Sequence, residues 1–89
     1  MRQHNETIHG FAVCVDNTGY PAALELHKVY QVLPDDEAAQ DGDLRVIDES
    51  GEDYLYTAKR FLAIRLPTET DRALRESFSL RLAKPPVDG

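Results

Sequence analysis

Four carboxylates crowd one short stretch of the chain. Residues 44–56 read LRVIDESGEDYLY, and Asp48, Glu49, Glu52 and Asp53 bracket Ser50-Gly51. Paired carboxylates carry out acid–base chemistry when their surroundings drive their pKa values apart. On a hairpin tip in water these four keep ordinary values and have no pocket to act in. Turn chemistry and solubility account for them better.

A second acidic run, Asp35, Asp36, Glu37, Asp41 and Asp43, has the oxygen ligands that hard cations prefer. It lacks the D-x-D-x-D-G spacing with a closing glutamate, so a solvated loop is the simpler reading. His4, His9 and His27 fit no zinc spacing. Cys14 sits inside the apolar run Phe11-Ala12-Val13-Cys14-Val15, where a thiol behaves as a small hydrophobe, and a lone cysteine excludes an internal disulfide. No G-x-S-x-G elbow and no phosphate-cradling glycine loop is present. The expectation is a non-enzyme with no catalytic residues, no metal and no cofactor.

The tyrosines are a different matter. The chain has no tryptophan and seven aromatic residues, four of them Tyr20, Tyr30, Tyr54 and Tyr56. Tyr54 and Tyr56 are two apart on a strand and share one face, with Leu55 on the other. If that face is inner they are core, with hydroxyls reaching the rim; if outer they form an aromatic platform. Tyr20, Tyr54 and Tyr56 are therefore the candidate binding residues.

Charge is unevenly spread. Residues 1–56 hold 3 Lys/Arg against 12 Asp/Glu (−9), and residues 57–89 hold 7 against 4 (+3), for a net −6. An acidic body argues against general nucleic-acid binding, which rests on neutralising phosphates. The basic C-terminal piece reads first as lying against that acidic surface. No apolar run follows the N-terminus, so neither a signal peptide nor a membrane span is expected, and the compartment is read as cytoplasmic.

The elements that hold these residues follow from apolar runs and their punctuation. Residues 1–10 are a polar, flexible lead-in. Residues 11–15 form a strand covered on both sides, ended by the turn residues Asp16-Asn17-Thr18-Gly19. Leu24 and Leu26 alternate in the following loop and are both expected to cover one end of the core. Residues 28–33 make a second strand, which Pro34 ends. A helical turn over residues 37–40 stops at Gly42. A hairpin pairs residues 44–48 with 53–57 and turns at Gly51, where a positive φ is needed. Ala58-Lys59-Arg60 makes a tight turn into a last strand at 61–66. A helix starting at Thr68 as cap presents Leu74 and Phe78 inward. Residues 83–89 are a tail. Five short, regularly spaced strands predict a small mainly β domain over 11–67, closed as a barrel, with the helix over 68–82 packed on it.

The order of Cys14-Val15-Asp16-Asn17, Lys28-Val29-Tyr30-Gln31-Val32-Leu33, residues 46–56 and Phe61 resembles a group of short bacterial and phage proteins with an SH3-like barrel and no assigned activity. The likeness covers residues 14–66 and implies a five-stranded antiparallel barrel without catalytic residues. One departure is His27, where that pattern often has glycine before Lys28. SH3-like barrels that bind peptides use aromatic side chains lining a shallow groove. The first functional expectation is thus a non-catalytic module that binds a protein partner through Tyr20, Tyr54 and Tyr56. The second is RNA or other nucleic acid held by Lys59, Arg60, Arg65, Arg72, Arg75 and Arg81, as small barrels of this type also serve RNA-linked proteins. A homodimer through the C-terminal helix is a further expectation, since an acidic body and a basic helix complement each other between chains.

Overall fold

The computed structural model describes residues 10–82, with side chains through residue 80. The lead-in other than Gly10, His4, His9, the Arg81 side chain and the tail lie outside the described residues. The elements are β1 (Gly10–Cys14), β2 (Val29–Leu33), α1 (Asp36–Gln40), β3 (Asp43–Ile47), β4 (Asp53–Thr57), a 3₁₀ turn (Ala58–Arg60), β5 (Phe61–Ile64) and α2 (Thr68–Leu82). All five strands join one antiparallel sheet in the order β4-β3-β2-β1-β5. The domain is mainly β with one C-terminal helix.

The expected closure does not occur: the sheet is open, not a closed barrel. β4 and β5 stand at its two ends yet are joined by only the three residues of the 3₁₀ turn. So short a link reaches no more than about 3.6 Å per residue, so the sheet curls until Tyr56 and Phe61 meet, ring centroids 6.2 Å apart. Strands of four and five residues leaving that turn do not pair with each other, and each keeps an outer edge.

Alternation along the strands gives the sheet two faces. Ala12, Cys14, Tyr30, Val32, Leu44, Val46, Tyr56 and Phe61 line the inside of the curl and form the core with Leu24. Cys14 is fully buried there, as a core residue. Leu26, expected beside Leu24, instead points outward and is 46% exposed. The loop turns first at Tyr20–Leu24, held by the bonds Leu24 N–H to the Tyr20 carbonyl (2.9 Å) and Asn17 Nδ2 to the Leu24 carbonyl (3.0 Å), and again at Glu25–Lys28, so Leu24 and Leu26 do not share a side.

The other face belongs to α2. Phe11, on β1, is buried by Phe78, their ring centroids 5.4 Å apart, with the Arg75 guanidinium over the same ring. This is why the 11–14 run is apolar at every position. The helix spans the expected residues 68–82, but its cap lies one residue earlier than expected: the Asp71 N–H bonds the Pro67 carbonyl, which puts Pro67 at the cap and Thr68 inside the first turn. The narrow stripe of Leu74 and Phe78 is half-buried, as is Asp71, while the other side chains between Thr68 and Leu80 face water. Because Phe78 keeps part of its surface exposed, Phe78→Ala is expected to cost about 2 kcal/mol, below the roughly 3–5 kcal/mol of a fully buried phenylalanine. Urea unfolding of the two proteins measures it, and an effect under about 0.5 kcal/mol means that the helix does not dock.

His27 is the non-glycine residue with positive φ, +65°, among the described residues. Its N–H bonds the Cys14 carbonyl at 2.7 Å, which closes the β1–β2 loop and fixes the left-handed geometry. An L side chain pays roughly 1–2 kcal/mol there. Glycine removes that strain but adds chain entropy to the unfolded state. His27→Gly is therefore expected to stabilise the fold by about 0.5–1 kcal/mol, read as a higher denaturation midpoint. Loss of stability would mean that the imidazole makes a compensating contact.

Candidate functional site

The β3–β4 hairpin turns through Asp48-Glu49-Ser50-Gly51-Glu52, with Gly51 at φ +86°. Asp48 does not sit in water, contrary to its expected place on the tip. It is 7% exposed, and its Oδ1 accepts the Ser50 N–H (2.9 Å) and hydroxyl (2.6 Å), while its Oδ2 accepts the Tyr56 hydroxyl (2.6 Å). Burial pushes the carboxyl pKa up, but the hydrogen bonds from Ser50 and Tyr56 outweigh it and hold the group below the usual carboxylate range. Burial, and after it the same Asp48 contact, pushes the Tyr56 hydroxyl well above the usual tyrosine range.

Glu49 makes the neighbouring latch. Its carboxylate accepts the Tyr30 hydroxyl and pairs with Lys28 Nζ at 2.7 Å, and its N–H bonds the Ala23 carbonyl at 3.0 Å. Tyr30 in turn accepts the Glu25 N–H at 2.7 Å, so burial and Glu49 together raise its pKa without leaving its oxygen unsatisfied. Two adjacent acids thus hold two core tyrosines by their hydroxyls and tie the hairpin to the β1–β2 loop. Asp-x-Ser is an Asx-turn pattern, and it is the sequence signal that marks Asp48 as structural.

This frame brings the three candidate tyrosines together. Tyr56 is core at 6% exposed, whereas Tyr54, on the same face two residues back, is 49% exposed. Tyr54 lies beyond the inside of the curl and bonds Glu52. Tyr20, 36 residues before Tyr56, packs edge-on against its ring at 5.1 Å and is 44% exposed. Tyr20, Ala23, Asp48, Ser50, Tyr54, Leu55 and Tyr56 line one open groove of about 420 Å³. Arg60 covers Tyr20 at 4.8 Å, anchored by the Asp16 and Thr18 carbonyls (3.0 and 2.8 Å) and the Asp16 carboxylate. Sequence spacing alone did not mark Ala23 or Arg60 as parts of this site.

No known family, curated protein or solved structure matches the chain.

The other candidate residues are not assembled in the same way. Arg60 faces the tyrosine side of the sheet and Arg75 the α2 side, where it pairs with Asp71. Lys59, Arg65 and Arg72 are exposed on the 3₁₀ turn, after β5 and on α2 respectively. In the acidic loop, Asp35 caps α1 through the Ala38 N–H and pairs with Arg45 at 2.7 Å, and these contacts lower its pKa. No group of three or more metal-ligating side chains converges among the described residues. Among those residues, too, no helix is long and apolar enough to cross a membrane.

Proposed function

We propose that the protein is a non-catalytic interaction module that receives an extended segment of a protein partner in the groove of Tyr20, Tyr54 and Tyr56. The observation that carries this reading is the convergence of tyrosines from the β1–β2 loop and β4 on one open, acid-rimmed surface. Tyrosine offers a large flat contact and a polar tip at small entropic cost, which suits recognition of an extended chain. The groove has a firm floor, because Tyr56 is fastened to Asp48 and Tyr20 is clamped between Tyr56 and Arg60. The reading that uses the basic residues for nucleic acid has less support, since Arg60 and Arg75 are already paired with carboxylates on opposite faces.

The test is selection of peptides from a random displayed library against the full chain, followed by titration of the winners while backbone amide signals are recorded. Shifts should centre on residues 20, 23, 54 and 56, and Tyr54→Ala should weaken binding tenfold or more with the fold intact. Winners whose shifts fall elsewhere, or that bind Tyr54→Ala equally well, overturn the reading.

A further inference from the structure

Among the described residues the open sheet leaves β4 with one unpaired edge, and the hydrogen-bond phase shows which groups stand on it. The Asp48 N–H bonds the Glu52 carbonyl, and the Ala58 N–H bonds the Gly42 carbonyl, just beyond either end of the β3–β4 ladder. Bonded pairs recur every second residue in an antiparallel ladder. Val46 with Tyr54 and Leu44 with Tyr56 are therefore the bonded pairs within it. The N–H and C=O groups of Asp53, Leu55 and Thr57 consequently point away from β3, toward the free edge. All three residues are exposed, Leu55 at 48%.

Natural edges are usually blunted by lysine, proline or a bulge. β4 has none of these: its sequence is Asp-Tyr-Leu-Tyr-Thr, and its register with β3 runs unbroken over five residues. We propose that a second copy of this chain occupies that edge, β4 pairing antiparallel with β4 about a two-fold axis at Leu55.

The strand is self-complementary in this register. Leu55 faces the second copy's Leu55 and Asp53 faces its Thr57, both as hydrogen-bonded pairs, so no like charges oppose. Tyr54 faces the second copy's Tyr56 in the non-bonded position, where cross-strand side chains approach most closely. Antiparallel pairing also carries the acidic 48–52 turn of each copy toward the 3₁₀ turn of the other, which bears Lys59. Opposite charges then meet at both ends of the interface. The axis is normal to the sheet, so the tyrosine faces of the two copies lie on the same side and their grooves run together across one ten-stranded sheet. This interface is distinct from one through α2, whose apolar stripe is engaged with its own sheet.

Cysteine substitution tests the register directly. Residues in a bonded antiparallel pair have Cα atoms about 5.5 Å apart, within the roughly 4.4–6.8 Å that a disulfide spans. The full chain carrying Leu55→Cys should oxidise in a glutathione redox buffer to a covalent dimer, at least tenfold faster than Leu62→Cys, which is 58% exposed on β5. The wild type, whose cysteine is buried, should remain uncrosslinked. Sedimentation equilibrium should show a reversible wild-type dimer. Leu55→Lys, which sets like charges on the axis, should weaken it tenfold or more. Leu55→Pro should do the same while leaving the β3 ladder whole, because the N–H it removes points outward. Amide spectra of both variants check that the fold persists. A wild type that stays monomeric to about 1 mM overturns the proposal, as does equal crosslinking at residues 55 and 62. A dimer that survives both Leu55 substitutions in folded protein places the interface elsewhere and overturns it too.

Discussion

Replacing Leu24 by alanine is expected to cost about 3–4 kcal/mol. Leu24 is fully buried although it belongs to a loop, and it closes the end of the curl against Tyr30, Val46, Tyr56 and their neighbours. Truncating a buried leucine removes its transfer free energy and leaves a cavity, a combination that costs roughly 2–5 kcal/mol depending on how far the walls collapse. Collapse is restricted here. The Leu24 N–H and carbonyl are tied to Tyr20 and Asn17, and the adjacent Ala23 carbonyl is tied to Glu49. The loop is therefore held at the height of the missing side chain, which places the cost in the upper half of the range. A chain of this length has a total stability of roughly 4–13 kcal/mol, so the variant should be marginal at 25 °C. Urea unfolding should show a large fall in midpoint with little change in slope. Leu26→Ala, two residues away on the exposed side, should lose less than about 1 kcal/mol. Similar losses at both positions would mean that the loop is held by something other than Leu24.

The contrast between Leu24 and Leu26 shows what the sequence conveys and what it withholds. Their alternation predicted two inward leucines, as in a strand. The loop is a turn instead, and in a turn spacing no longer reports facing. Strands fared better, because a period of two ties burial to position: the boundaries of β4 and the positive φ at Gly51 follow from local propensity alone. The continuous apolar run at β1 signalled two covered faces, and the helix stripe of Leu74 and Phe78 supplies the second cover. Closure was not legible, since it depends on curvature accumulated over five strands and on one three-residue turn. The same holds for the tyrosines. Tyr54 and Tyr56 share a face as their spacing requires, yet one is core and the other exposed, because the edge of the curl passes between them. That Tyr20 joins them depends on a loop path that no local pattern encodes. The basic residues illustrate the converse: clustered in sequence, they are parted by the sheet that runs between Arg60 and Arg75.

Asp48→Ala is expected to cost about 3 kcal/mol, although a carboxylate in an acidic turn looks dispensable from the sequence. The substitution removes the acceptor of the Ser50 N–H, the Ser50 hydroxyl and the buried Tyr56 hydroxyl. Ser50 regains water as a partner, but Tyr56 does not, and an orphaned buried hydroxyl costs about 1–3 kcal/mol beyond the lost charged hydrogen bonds. Tyr56→Phe in the Asp48→Ala background removes that orphan. The double variant should consequently be less destabilised than the two single losses added together, by about 1 kcal/mol or more. The pH profile follows from the same contact. The Asp48 carboxyl is held below its ordinary value in the fold, so its contribution is present above the unfolded pKa of about 4 and is lost as pH falls through the lower folded value. Tyr56 and Tyr30 are raised, so theirs is present below about 10 and is lost as pH rises from there toward their folded values. Stability of the wild type should therefore fall at both ends of the scale. In Asp48→Ala the acid limb should flatten, and the alkaline limb should shrink by the share that the Asp48 contact adds at Tyr56, keeping what burial supplies at Tyr56 and what burial and Glu49 supply at Tyr30. Thermal unfolding across pH 2–12 reads both limbs at once. An unchanged acid limb, or additive losses in the double variant, would mean that Asp48 is only a turn residue and that the floor of the tyrosine groove is held by packing alone.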